Sequence, residues 1–186
     1  MSDFPTLETG RLQLRELSPA DAPALFAIHG DPVVMRWFGV DPLVDPAGAD
    51  KLVETFATGR QTANPSTRWG IARKADGELL GTCGLFGWNR SWRKCTLGYE
   101  LGQSAWGQGY MREAVRCVID WGFTQMALNR IEAGVHPQNA ASLKLLAALG
   151  FTQEGVAREL GFWGGEFHDM VQHSLLAREH LAQAAR

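Results

Sequence analysis

Residues 99–114 concentrate the groups that could do chemistry: Tyr99-Glu100-Leu101-Gly102-Gln103-Ser104-Ala105-Trp106-Gly107-Gln108-Gly109-Tyr110-Met111-Arg112-Glu113-Ala114. The apolar, alternating run from Cys95 to Leu101 reads as a strand, and from Met111 onward Met111, Ala114, Val115, Val118, Ile119, Gly122 and Phe123 recur at the spacing of one helix face. The first N–H groups of a helix have no partner inside it, and its N-terminus carries partial positive charge. Glycine lets that backbone approach an anion with no Cβ in the way. The pattern predicts a phosphate or pyrophosphate held near Gly107–Met111. A plain tight turn from strand to helix would use the same two glycines. The loop lacks the Gly-Lys-Ser/Thr ending of a nucleoside-triphosphate site, and Arg112 stands where a dinucleotide fingerprint has its third glycine.

Other chemistries find little support. Cys83, Cys95 and Cys117 are odd in number and show no Cys-x-x-Cys spacing, so they read as small buried hydrophobes in a reducing compartment. The five histidines make no metal set: His168 and His173 are an odd number apart in one expected strand, which puts them on opposite faces, and His136 reads as structural. A net charge of −2 gives no reason to expect direct nucleic-acid binding. No basic-then-apolar leader and no run of roughly 20 apolar residues is evident. The expectation is a cytoplasmic protein without a membrane partner. With 186 residues, the chain reads as one domain, 1–186.

The elements that must position these residues follow in order. Thr9–Leu17 alternates as a first strand; Ser18-Pro19 opens a helix carrying Leu25, Phe26 and Ile28; Asp31-Pro32 starts a short second helix, and a third spans Ala47–Gly59. Strands are expected at Arg68–Arg73 and Leu79–Trp88, joined by a turn containing Asp76-Gly77, then at Cys95–Leu101. Trp92, among polar residues, is expected to be exposed. The long helix runs to Met126, Asn129–Val135 is a strand, and Ala140–Leu149 is a helix closed by Gly150. Phe151–Leu160 and Asp169–Ala177 form two last strands around a Gly161–Gly165 turn, and the segment from Arg178 is expected to fray. This order is a mixed α/β (α+β) layer arrangement.

Trp106-Gly107-Gln108-Gly109-Tyr110-Met111-Arg112-Glu113-Ala114 resembles the coenzyme A loop of the GNAT superfamily of N-acetyltransferases, and looks most like its ribosomal-protein-alanine N-acetyltransferase branch. The chain departs from the general superfamily pattern at Trp106 and Met111, which removes a side-chain contact to phosphate but leaves the backbone amides. The run from His136 to Gly155 is similar to the superfamily's second motif: Asn139, Ser142 three residues later, Leu149-Gly150-Phe151 closing the helix, then Glu154-Gly155. The element order follows the same family, which implies a mostly antiparallel central sheet flanked by helices.

The resemblance implies acetyl-CoA as cofactor, held by Leu101, Trp106, Gly107, Gln108, Gly109, Tyr110, Met111, Asn139 and Ser142. Asn139 reads equally as a helix N-cap. Many relatives protonate the leaving thiolate with a Tyr four residues past the Ser142 place, where this chain has Leu146; in the ribosomal-protein branch a Ser at the Ser142 place is the proposed thiolate partner, so the resemblance implies Ser142 as candidate acid, with a bound water as the alternative. Acetyl transfer also needs a neutral amine, and Glu100, on the strand entering the loop, is the candidate base, directly or through water. An ion-paired or solvated strand residue is the other reading of Glu100. Some relatives carry an acid in the strand after the second motif, where Gly161 falls here with Glu159 nearby. A backbone amide near Leu101 would polarise the thioester carbonyl. The function implied is acetyl transfer to a primary amine, the N-terminal α-amine of a (ribosomal) protein. The alternatives are a small-molecule amine acetyltransferase or a non-catalytic acyl-CoA-binding module. The expected partners are acetyl-CoA, the amine acceptor (peptide N-terminus or small molecule) and a second copy in a homodimer.

Overall fold

The computed structural model describes residues 4–184. One eight-stranded sheet runs in the order β1-β2-β3-β4-β5-β6-β8-β7. Its strands are β1 (Leu7–Glu8), β2 (Leu12–Arg15), β3 (Thr67–Arg73), β4 (Leu79–Asn89), β5 (Lys94–Leu101), β6 (Arg130–Val135), β7 (Thr152–Trp163) and β8 (Glu166–Leu176). All neighbours are antiparallel except β5 and β6.

Alternation along the strands sends two sets of side chains to opposite faces. On one face Trp69, Ile71, Cys83, Leu85, Cys95 and Leu97 meet Ala114, Val115, Val118 and Ile119 of the long helix α4 (Tyr110–Gln125), with Leu146 of α5 (Ala140–Ala148) in the same core. On the other face Leu17 and Leu79 pack with Ala22 and Leu25 of α1 (Ala22–His29) and Ala49 and Val53 of α3 (Ala47–Thr58). The Ser18 signal is realised as a capping box over a 3-10 turn, Pro19–Asp21, which runs straight into α1. Asp31 caps the short α2 (Pro32–Met35), accepting from Val33 N at 2.8 Å.

Three expectations change. The first strand is only Leu12–Arg15, because Thr9 and Arg11 turn aside to bind Glu113. The final hairpin turns at Gly164-Gly165 alone, and Gly161–Trp163 remain in β7. The chain end does not fray at Arg178: Ala177–Ala184 form α6, held where His180 Nε2 meets Asp120 Oδ1 at 2.8 Å and its ring stacks on Phe123. Trp92 is 70% exposed, as its polar neighbours imply.

Trp69 anchors the larger core. It has no exposed surface, meets Phe4 and Trp121 edge-on, and its indole donates to Pro5 O at 2.6 Å. Trp69→Ala is expected to lower unfolding free energy by about 3–5 kcal/mol in urea denaturation, the usual cost of emptying a large aromatic site.

Candidate active site

β5 is paired with β4 as far as Leu101, and β6 with β8 as far as Val135. Between β5 and β6 the pairing stops after Lys94↔Arg130, Cys95↔Ile131 and Thr96↔Glu132. Lys94 Nζ fastens the closed end to Glu132 Oε2 at 2.9 Å. Beyond Thr96 a cavity of about 450 Å³ opens, with Leu97–Leu101 on one side and Ala133–Val135 on the other. Buried main-chain groups seek partners, so this slot suits an extended ligand that carries its own amides.

The glycine loop closes one end. Gly107 (φ +73°) and Gly109 (φ +79°) both take the left-handed conformation that favours glycine, and α4 starts immediately after. The first intrahelical bond here runs from Glu113 N to Gly109 O at 3.1 Å, so the amides of Tyr110, Met111 and Arg112 have no acceptor within the helix. Trp106 is 46% exposed and its indole donates to Leu101 O at 2.8 Å. Trp106, Gly107, Gly109, Tyr110 and Met111 line the cavity together with Leu101. Gln108 does not: its side chain folds back to Ser104 O at 2.8 Å.

Arg11 and Thr9, which carry no motif signal, brace this loop. Arg11 pairs with Glu113 (Nε to Oε2, 2.7 Å), donates to Gln108 O at 3.0 Å, and lies 4.4 Å over the Tyr110 ring. Thr9 Oγ1 donates to Glu113 Oε1 at 2.5 Å. Burial pushes the Glu113 carboxyl up, but the hydrogen bonds from Thr9 and Arg11 outweigh it and hold it below its ordinary value.

Strand alternation separates Glu100 from Tyr99 and Leu101, and all three line the cavity. Glu100 is ion-paired and buried. Its Oε2 takes Arg68 Nη2; its Oε1 accepts from Thr82 Oγ1 at 2.5 Å and sits 3.2 Å from His29 Nε2. Arg68 Nε donates to Thr82 Oγ1 at 2.5 Å, and its guanidinium lies within 4.8–5.5 Å of the Phe38, Phe56 and Phe86 rings. A carboxylate offers about four acceptor positions. Three are occupied, leaving one on Oε2.

On the α5 side, Asn139 Oδ1 caps the helix by accepting from Ser142 N at 3.1 Å, which leaves its NH₂ group available. Ser142 Oγ stands 2.5 Å from Tyr99 Oη. Burial pushes the phenol up to about 12, with the Ser142 contact pulling the other way, so Tyr99 stays protonated. Sequence spacing gave no hint of this pair, whose members come from separate elements.

Neither Glu159 nor Gly161 lines the cavity. Glu159 (φ +52°) sits in a bulge of β7, its N–H donating to Asp169 Oδ1 at 2.8 Å. No group of His, Cys, Asp and Glu among the described residues could hold a metal. Burial pushes the Cys83 and Cys95 thiols up, Cys95 to about 12, so neither supplies a thiolate nucleophile. Val33 and Val34 of α2, with Trp37 and Phe38 just after it, add an apolar wall to the cavity. Trp37 stacks on His136 at 4.0 Å, and the Trp163 indole of the β7–β8 hairpin donates to Arg36 O at 3.3 Å, tying this wall to the hairpin.

A sheet split at its one parallel pair, with an amide-rich glycine loop at the mouth and hydroxyl and carboxylate groups along the slot, fits an acyl-CoA and defines an acyltransferase. The match to the Acetyltransferase (GNAT) domain family covers residues 11–152. The uncharacterised N-acetyltransferase p20 of Bacillus licheniformis is 37% identical over 175 residues, 94% of this chain and 98% of that protein. The ribosomal protein uS5-alanine N-acetyltransferase of Escherichia coli is 38% identical over 85 residues, 46% of this chain and 44% of that one. The structure of ribosomal-protein-S5-alanine acetyltransferase from Vibrio fischeri matches with a TM-score of 0.76 at 26% identity, covering 93% of this chain and 97% of that one. The chain belongs to the GNAT acetyltransferase family and is an acetyl-CoA-dependent N-acetyltransferase.

Removing one partner of a buried ion pair strands the other charge. Arg68→Ala is therefore expected to cost about 3–5 kcal/mol in urea denaturation, whereas the Arg68→Met/Glu100→Leu double variant recovers most of that loss.

Proposed function

We propose that the chain acetylates the N-terminal α-amine of a protein or peptide, with residues 1–186 acting as one acetyltransferase domain. The observation that carries the acceptor class is the wall that α2 and the residues after it give the cavity. Val33, Val34, Trp37 and Phe38 make it apolar, and Glu100, already matched by Arg68, is the one carboxylate that lines the cavity among the described residues. Polyamines carry several positive charges and call for several unpaired carboxylates; a peptide terminus brings a single cationic amine. Similarity to a ribosomal protein uS5-alanine N-acetyltransferase supports the same class.

When bound, acetyl-CoA supplies an activated acyl group. The amides at Tyr110–Arg112, with the left-handed glycines before them, would hold its diphosphate, and Asn139 NH₂ and the open edge of β5 would bind its amide arm. The free position on Glu100 Oε2 orients the acceptor amine and takes its proton, directly or through water. The unpaired β5 segment near Leu101 offers a main-chain donor to the acyl oxygen. The hydrogen-bonded hydroxyl pair Ser142–Tyr99 supplies a donor for the departing sulfur. Self-association is supported by the outer edge of β7, where Val156, Leu160 and Phe162 are exposed. Light scattering is expected to give the mass of two chains; a monomer at micromolar concentration rejects the dimer.

Calorimetric titration should show acetyl-CoA binding, and its absence overturns the cofactor site. In a CoA-release assay, peptides with free α-amines should outperform spermidine and other small amines; the reverse order selects the small-molecule reading. Glu100→Gln is expected to lower kcat on the order of 10²-fold or more with acetyl-CoA affinity unchanged. Undiminished turnover removes Glu100 from the mechanism.

A further inference from the structure

We propose that the hydrogen-bond donor to the departing sulfur is Tyr99 on β5, that the sulfur leaves as a thiolate held by the phenol O–H, and that Ser142 is the positioning residue bracing that phenol. This deepens the acetyl-CoA reading of the cavity and depends on it.

Three observations converge. Tyr99 of β5 and Ser142 of α5 line the same slot, with their oxygens 2.5 Å apart. Leu146, four residues past Ser142, has no exposed surface and belongs to the core, so α5 has no room for an acid there. Tyr99 also neighbours Glu100 along β5, and alternation puts the amine-handling carboxylate and the phenol on opposite sides of one strand, as a donor to one end of the reaction and an acceptor at the other require. If Ser142 donates its hydroxyl proton to Tyr99 Oη, the phenol proton is left for the slot.

Relative acidities decide between giving the proton and lending it. A thiol titrates near 8.5, a phenol near 10, and an aliphatic hydroxyl higher still. Burial moves Tyr99 further up, to about 12. At their ordinary values, complete transfer from a phenol to a thiolate is uphill by roughly 30-fold. The balance is then simple. The nitrogen–carbon bond forms and the carbon–sulfur bond breaks, with the electron pair on sulfur. The acceptor's proton goes to Glu100 or water, and Tyr99 keeps its own while its hydrogen bond stabilises the anion.

The test titrates the thiol of CoA bound to the full chain by ultraviolet thiolate absorbance. The other titratable cavity residues, Glu100, Tyr110 and Arg112, remain in place in every variant, with Glu100 still bound to Arg68 and His29. Wild type should show a midpoint below that of free CoA. Tyr99→Phe should raise it by about one unit, and should lower kcat on the order of 10²-fold while KM for acetyl-CoA changes little. Ser142→Ala should produce a smaller rise in the same direction. An unchanged midpoint and kcat in Tyr99→Phe overturns the proposal, as does Ser142→Ala alone reproducing the full effect. If wild type binds CoA, the failure is that of Tyr99; if it does not, the cofactor reading falls too. Should Tyr99→Phe not fold, fluorotyrosine at both tyrosines keeps the shape and sharpens the donor. The midpoint should then drop below wild type, and no movement rejects the role.

Discussion

The structure turns on the point where β5 and β6 cease to pair. A parallel pair needs a long crossover between its strands, and here the crossover is α4. The helix must start beyond the carboxyl end of β5, at the end where the two strands have separated. One topological fact therefore puts a row of unpartnered amides and an unzipped sheet edge side by side. Ligands of open α/β sheets gather at such strand ends for the same reason. The neighbours β4 and β8 keep the outer edges satisfied, so the split leaves the rest of the sheet intact.

Placing a carboxylate in that split carries an electrostatic cost, and the side of the sheet covered by α1 and α3 offsets it. Arg68 crosses from β3, Thr82 rises from β4 and His29 comes from the end of α1, all meeting Glu100. Three phenyl rings surround the guanidinium and fix its plane. A buried pair is a poor source of net stability compared with apolar packing. Its retention here is understandable as preparation of a polar site rather than as glue. The α4 face of the same strand holds the phenol and the core leucines, so β5 divides its duties by parity.

Much of this was legible in the sequence because the information was local. Gly107 and Gly109 announce a backbone conformation, Ser18 and Asn139 announce helix starts, and alternation through Cys95–Leu101 announces which residues share a face. The missing parts depend on contacts far along the chain. Arg68 reads as an ordinary strand arginine until β3 and β5 are seen to flank β4; Arg11 and Thr9 reach Glu113 about a hundred residues away. The polar composition of the last segment suggested fraying, and docking through His180 onto Asp120 and Phe123 overrides it as far as Ala184. Gly161-Phe162-Trp163 suggested a turn, yet Trp163 had a stacking partner in His168 that carried the strand further.

The same distinction explains how one functional group can change address within a fold. On α5, positions 142 and 146 lie one turn apart on a shared face, yet Ser142 reaches the cavity while Leu146 is sealed beneath. A tyrosine at 146 would have to displace core leucines such as Leu149 before its hydroxyl reached the slot, and overpacking of that kind costs about 1–3 kcal/mol. From β5 the same hydroxyl arrives over a strand that already borders the slot, with its ring packed against the core. What the chemistry constrains is a donor at a point in space. The strand and the helix are alternative ways to reach that point, and core packing selects between them.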